Sequence, residues 1–583
     1  MPSIALTMSL RGQLLSSTKV APFSPTSLFA ANEAGVWYDP SDLTTLFQDT
    51  AGTTPVTTPG QTVALALDKS RGLVLGSELV DTANSSSTWI AFGTNTIAQD
   101  GDAVRVTFVD NQGGAYAPLN QSGGTTINLT SGSFYRLTGQ ARINTGSANV
   151  RIGGNLSPGN TDILAVSSTS YVDFSAVFQC TGVVPNIQFS GLGSGEIIWI
   201  RNISVRELPG NHATQSTAAS RPIYAVVPST GRRNLLTYTE QFDNAAWIKG
   251  RVADAIGPTV SANTVVAPDG TTTGDTVTIN LGGQFVRQDV PFASGASGTI
   301  TVWAYAPLSG GATSIRITTN NASTWSTGIS QSFALTSGWN RLSLSGTLIS
   351  SGSTCRVLIG AANADGTADA TITGTFYLWG AQLETGSTAT AYQRVVSAFD
   401  VTEAGVQSLS YLSFDGVDDF LVTPTITPGI DKAQVFAGVR KLSDAATGLL
   451  AEFSPGSGQG RFEVFAPLGA ASPNYFWNSG GSIFRSVTAT TFSAPTTNVL
   501  TGTGDISGDN STLRINGAQV GQSLLDQGIG NYLAYPLYIG RRAGTSNPFN
   551  GRIYSLIVRF GANLTNTQIT NTETWVNSKT GAY

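Results

Sequence analysis

Apolar and polar residues alternate along much of this chain. AVRVTFVD (103–110), YRLTGQARI (135–143), ANVRIGG (148–154), DTVTIN (275–280), TITVWAYA (299–306) and TSIRITT (313–319) all repeat with a period of two. Such alternation buries one face and wets the other, which predicts strands of antiparallel sheets. Clusters of Gly, Ser, Thr and Asn between these segments predict turns. One segment changes period. In LTNTQITNTETWVNSKTG (564–581), Thr565 and Gln568 form a capping-box pattern, and Ile569, Thr572 and Val576 share a helical face. The expected fold is all-β: several antiparallel β-sandwich or jelly-roll domains and one short C-terminal helix.

The chain has 583 residues, more than one core usually spans. Only 11% are charged, yet 40% are hydrophobic, so packed cores rather than disorder are expected. No apolar run approaches the ~20 residues that cross a bilayer as a helix, so no membrane insertion is expected. A net charge of −5 argues against a nucleic-acid partner, which calls for a basic stripe. The opening MPSIALTMSLRGQLLSS has no basic residue before its apolar stretch, and Arg11 interrupts that stretch. No secretory signal is predicted, so a protein made in the cytoplasm would leave its cell by another route. Two cysteines exclude a disulfide framework, and Cys180 and Cys355 are expected to be lone buried thiols.

Two segments can be laid side by side, Gly76–Leu208 and Asn234–Gly386. Each opens with a short apolar pair and a Trp-Ile (Trp89-Ile90, Trp247-Ile248), and each closes on a Trp-bearing strand. The second, through NLLTYTEQFDNAAW, APDGTTTGDTVT and FYLWGAQLETGSTATAY, resembles the carbohydrate-binding-module-like jelly rolls common in phage structural proteins. The first resembles them through its opening ELV and its closing strand. GVWYDPSD (35–42), LDKSRG (67–72), GNHATQSTAASRP (210–222) and YLSFDGVDDFL (411–421) resemble the consecutive opening pieces of laminin-G-like, concanavalin A-like domains. This resemblance implies a discontinuous sandwich of residues 35–72, 210–232 and 397–583, with jelly rolls inserted at 73–209 and 233–396. Insertions at surface loop tips are well tolerated. In TLRINGAQVGQSL, Asn516-Gly517 predicts a two-residue hairpin turn. Residues 1–34, an irregular run with Pro22 and Pro25, are either a flexible terminus or an arm that docks onto other virion proteins.

The single histidine, His212, supports neither a nucleophilic triad nor a zinc site. Retaining glycosidases need two carboxylates about 5 Å apart. No Glu here is followed two positions later by Asp, and Glu452 and Glu463 have no acidic partner on their own strands. A non-catalytic protein is expected. Asp415, Asp418 and Asp419 in FDGVDDF offer hard oxygen ligands for calcium, or else a plain Asp-Gly turn. Structural calcium would fit the family, and no other cofactor is expected.

Sugars need aromatic platforms rimmed by hydrogen-bonding groups. Trp303 and Tyr305 share one face of TITVWAYA, Trp325 sits in a polar stretch, and Tyr475 and Trp477 form a loop-edge pair in PNYFWNSGG. Core or interface packing is the alternative for each. Trp37, Trp199, Trp379 and Trp575 are assigned to cores or domain junctions. The resemblance implies a virion protein, a tail fibre or head spike, that binds host-surface polysaccharide. A homotrimer would multiply weak sites by avidity. The alternatives are a secreted or surface bacterial lectin and a glycan-trimming glycosidase.

Overall fold

In the computed structural model the alternating segments are antiparallel strands, gathered into three β-sandwiches around three separate cores. The structure describes residues 23–583 except 81, 110–114, 120, 123–124, 127–128, 155, 158–159, 183–184, 192, 322–324 and 326–327. Residues 1–22 of the expected N-terminal arm (1–34) lie outside the described residues.

The first sandwich has one sheet in the order Val172–Cys180, Phe134–Ile143, Ile197–Glu207, Ala103–Thr107, Thr96–Asp100, with Leu156–Ser157 beside the first of these. The second sandwich repeats that order with Asn340–Thr347, Ser297–Tyr305, Gly374–Thr385, Gly274–Ile279 and Thr259–Val265. The opposing sheets also correspond, strand for strand. The first runs Thr161–Val166, Ala148–Gly153, Asn186–Ser190, Ala115–Pro118, Ile90–Ala91. The second runs Ser330–Ala334, Ser314–Asn321, Thr354–Gly360, Gln284–Pro291, Ile248–Arg251. Trp89 and Trp247 are both buried, each donating its indole N–H to a backbone carbonyl, of Ala83 and Tyr238 respectively. Cys180 and Cys355 are free thiols in the two different cores.

The third sandwich, the frame, gathers strands from distant parts of the chain. Ala34–Tyr38 lies along Asn550–Phe560, with Trp37 opposite Ile557. Leu65–Ala66 pairs with Ala213–Thr214, which pairs with Leu421–Val422. The chain thus passes into the first sandwich and returns beside its point of departure. It leaves for the second after Ile223–Pro228 and returns at Asp400–Glu403, where Val226 pairs with Asp400.

One buried carboxylate ties this return together. Asp68 accepts the backbone N–H groups of Trp37, Ser70 and Asn211, each at 2.8 Å, and the Ser70 hydroxyl at 2.9 Å. Its own N–H donates to His212 Nδ1 at 2.8 Å, so the neutral His212 carries its proton on Nε2, which faces Leu208 O at 3.2 Å. Burial pushes the His212 pKa down to about 4. His212 is a structural joint.

Residues 23–33 do not behave as a loose terminus. Pro25–Leu28 is a 3-10 turn with Pro at its start, where the missing N–H is harmless. Leu28 is buried among Trp37, Phe436, Ile557 and Val576, and Arg559 donates to Leu28 O at 2.9 Å. The helix Asn566–Thr580 covers the same cluster, with its capping box formed and Gly581 ending it in the left-handed region at φ 62°. Among the described residues no helix is long and apolar enough to cross a membrane.

Candidate functional site

The strand Ser297–Tyr305 buries Ile300, Val302 and Ala304 in the second core, which turns Trp303 and Tyr305 to the outer face. There Tyr305 lies opposite Tyr377 of Gly374–Thr385, ring centroids 4.4 Å apart and planes at 36°. Trp339, just before Asn340–Thr347, stands edge-on to Tyr305 at 4.6 Å, its indole N–H donating to Val266 O at 2.9 Å. All three rings are half-buried. Neither phenol oxygen of Tyr305 or Tyr377 has a hydrogen-bond partner among the described residues. Burial, then the neighbouring Tyr377, raises the Tyr305 pKa, so its hydroxyl keeps its proton at neutral pH. Leu308, 94% exposed, follows in the turn after Tyr305. An open aromatic surface with free hydroxyls can stack on the apolar face of a ring and bond its rim.

The next row is closed. Trp303 faces Trp379 at 5.2 Å, Tyr392 packs on both at 5.5 and 4.7 Å, and the Arg341 guanidinium lies 4.6 Å from the Trp303 ring. Tyr392 hydrogen-bonds Thr239 Oγ1 at 2.7 Å and Glu240 Oε1 at 3.1 Å. Gly380 forms a bulge here at φ 65°, and a Cβ at this position would lie 3.0 Å from the Trp303 ring. Trp303 is therefore largely a wall, and Tyr305 belongs to the open ledge. Sequence reasoning missed Tyr377 and Trp339. FYLW (376–379) does show the alternation that points Tyr377 outward, but an all-apolar run hides which face is wet.

The other predicted residues lie elsewhere. Trp325 packs against Phe285 at 6.1 Å on the opposing sheet, away from Trp303 and Tyr305. Tyr475 and Trp477 are not a loop-edge pair. They lie on the strand Tyr475–Gly480, both 0% exposed, because its alternation turns them into the frame core. The Tyr475 hydroxyl donates to Asn498 Oδ1 at 3.0 Å and the Trp477 indole to Thr503 O at 3.2 Å. Trp199, expected in a core or domain junction, is half-exposed on the outer face of the first sandwich.

Glu452 and Glu463 face each other across paired strands. Both are buried. Glu463 binds Arg542 at 2.8 Å and Asn478 at 3.0 Å, and Glu452 accepts the Ser454 hydroxyl at 2.6 Å. The pair forms an ionic knot within the sheet. Asp415, Asp418 and Asp419 bring carboxylate oxygens within 4.8 Å of one another. Burial, then repulsion from Asp415, raises the Asp419 pKa to about 7. Asp418 accepts from Ser220 at 2.7 Å, Asp419 from the Asp415 N–H at 3.0 Å, and Asp415 from the Val417 N–H at 2.7 Å. These bonds describe a closed acidic turn. Calcium would meet suitable oxygens there, although all three carboxylates already have protein partners. A polar cleft of about 690 Å³ also lies between the first sandwich and the frame, lined by Arg71, Gln179, Glu207 and Asn211. Its one aromatic, Phe134, is itself buried.

Among solved structures, the N-terminal CBM22-1–CBM22-2 tandem domain of Paenibacillus barcinonensis Xyn10C aligns with 54% of this chain and 98% of its own, at 10% identity and TM-score 0.23. The Ruminococcus gnavus IT-sialidase CBM40, solved with α2,3-sialyllactose bound, aligns with 25% of this chain and 84% of its own, at 14% identity and TM-score 0.21. The botulinum neurotoxin type G receptor-binding domain aligns with 28% of this chain and 42% of its own, at 12% identity and TM-score 0.22. No protein-family model matches the chain, and no curated protein matches its sequence.

Proposed function

We propose that this chain is a non-catalytic glycan-binding protein of a phage particle, adsorbing to host-surface polysaccharide through the second sandwich. The observation that carries the sugar reading is the Tyr305–Tyr377–Trp339 ledge, with its two unpartnered phenol hydroxyls. Three large rings left half-exposed in contact form an apolar surface that a soluble fold has reason to cover. A pyranose ring covers it, and the phenols then bond its hydroxyls. The virion role rests on the resemblance of the sequence segments to phage structural proteins. A homotrimer would present several ledges to one polysaccharide and raise avidity.

A glycan array probed with the full chain tests the site. Replacing both Tyr305 and Tyr377 with Ala is expected to weaken the best neutral ligand ~100-fold, about tenfold per stacked ring. Unchanged binding by a folded double variant would sink the site. Immunogold labelling of purified particles tests the location, and particles left undecorated would refute it.

A further inference from the structure

The outer face of the first sandwich carries different chemistry at the same place in the sheet. The two sandwiches can be matched at their bulges, which place Asn202 at φ 54° directly after Arg201 and Gly380 at φ 65° directly after Trp379. Arg142 opposite Trp199 then corresponds to Tyr305 opposite Tyr377, and Arg105 opposite Trp199 to Thr276 opposite Tyr377. Tyr171, just before Val172–Cys180, corresponds to Trp339, just before Asn340–Thr347.

The resulting row, Tyr171–Arg142–Trp199–Arg105, alternates rings and cations. The Arg142 guanidinium lies 3.9 Å from the Trp199 ring and 5.2 Å from Tyr171, and Arg201 lies 3.8 Å from Tyr171. Beside it runs a chain of bonds, Asp173–Gln140–Arg201–Asp102. Gln140 donates to Asp173 at 2.8 Å and accepts from Arg201 at 3.0 Å, and Arg201 pairs with Asp102 at 3.0 Å. Arg142 and Arg105 stand apart from this compensation. Neither has a hydrogen bond or ion pair with any described residue, although both side chains are half-buried. Beside this chain of bonds the bulge opens a depression of about 470 Å³, bordered by Gly139, Gln140, Asp173 and Asn202.

We propose that this face is a second saccharide site, selective for sugars that carry carboxylates. Two uncompensated guanidiniums on one row attract an anion, and the planar fork of Arg matches a carboxylate with paired hydrogen bonds. Trp199 and Tyr171 offer flat apolar faces to the sugar rings. Trp199 is fixed by donating its indole N–H to Asp100 Oδ2 at 2.8 Å. Asp100, Asp102 and Asp173 each accept one protein bond, from Trp199, Arg201 and Gln140, and keep further lone pairs for sugar hydroxyls.

The test measures binding of the full chain to tetrasaccharides of galacturonate and mannuronate and to a sialylated oligosaccharide, each beside its methyl ester. At least one acid is expected to bind about tenfold or more tightly than its ester, and to lose about tenfold on Arg142→Ala and on Trp199→Ala. Arg142→Lys should restore only part of the loss, and Tyr305→Ala should leave this binding unchanged while weakening neutral glycans. Melting curves that match the parent verify that the variants fold. The proposal is overturned if none of the three acids binds, if acid and ester bind alike, if folded Arg142→Ala binds as the parent does, or if a single-stranded oligonucleotide binds more tightly than every acid.

Discussion

The two inserted sandwiches share a strand order and a bulge but present opposite surfaces. In the second, the matched row is an aromatic ledge, Trp339–Tyr305–Tyr377, with neutral hydroxyls. In the first it is Tyr171–Arg142–Trp199–Arg105, with two cations that no described residue pairs. Both rows stand on corresponding strands, so the difference lies in the outward residue of each pair and not in the strand order. Inward positions must fill a core of fixed shape, while outward ones are free to change ligand chemistry at little cost in stability.

The seams to the frame differ just as much. The first sandwich meets it through Leu65, Leu67, Phe134, Val177 and Leu208, with the His212 ring edge-on to Phe134 at 4.7 Å. The second meets it through polar groups. Asn234 donates to Ala381 O at 3.0 Å and, across to the frame-sheet strand Gln393–Ser397, to Gln393 O at 2.9 Å, and its carbonyl accepts from the N–H groups of Leu236 and Leu383, both at 3.1 Å. Arg233 grips both oxygens of Glu403 at 2.7 Å.

The largest effect should come from breaking the polar seam. Asn234→Ala strands two carbonyls and two N–H groups in a site with no exposed surface, at a cost of about 4 kcal/mol in urea unfolding. A loss below about 1 kcal/mol would mean that water substitutes for the amide. The apolar seam should instead respond to acid. The His212 pKa is depressed in the folded state, so its contribution is present above pH 6.5 and lost as pH falls towards 4. That shift corresponds to about 3 kcal/mol, read as a fall in Tm between pH 7 and pH 4 that His212→Gln flattens. A fall of equal size in the variant would place the acid sensitivity elsewhere. The smallest effects concern the bulges. Gly380→Asn, with its new Cβ against Trp303, should cost about 1–2 kcal/mol, whereas Asn202→Gly should cost only a few tenths. Equal melting shifts would show that the two bulges are packed alike.

Local devices were legible in the sequence. Asn516 and Gly517 take the two positive φ values, 51° and 79°, that their turn demands, and Thr565 with Gln568 closes the capping box. Trp89 and Trp247 were readable as matched landmarks because each heads a similar run of strands. What period-two reading leaves out is which strands become neighbours. Tyr475 and Trp477 look like loop residues because Pro473-Asn474 precedes them and Gly480-Gly481 follows, yet the strand between is just long enough to bury both. Trp199 sits in IIWI, where apolar neighbours on both sides mask an exposed ring. Its meaning depends on Arg142 and Arg105, which reach it only through strand pairing. The ledge has the same character, since Tyr305, Tyr377 and Trp339 come from three separate stretches of chain.

The return of each inserted sandwich to its point of departure has a mechanical consequence. A pull on a ligand held by either one is carried by two backbone crossings that end on neighbouring strands, Leu65–Ala66 with Ala213–Thr214 and Ile223–Pro228 with Asp400–Glu403. Tension is split between two covalent tethers, and a single cut in one of them leaves the sandwich still leashed to the frame.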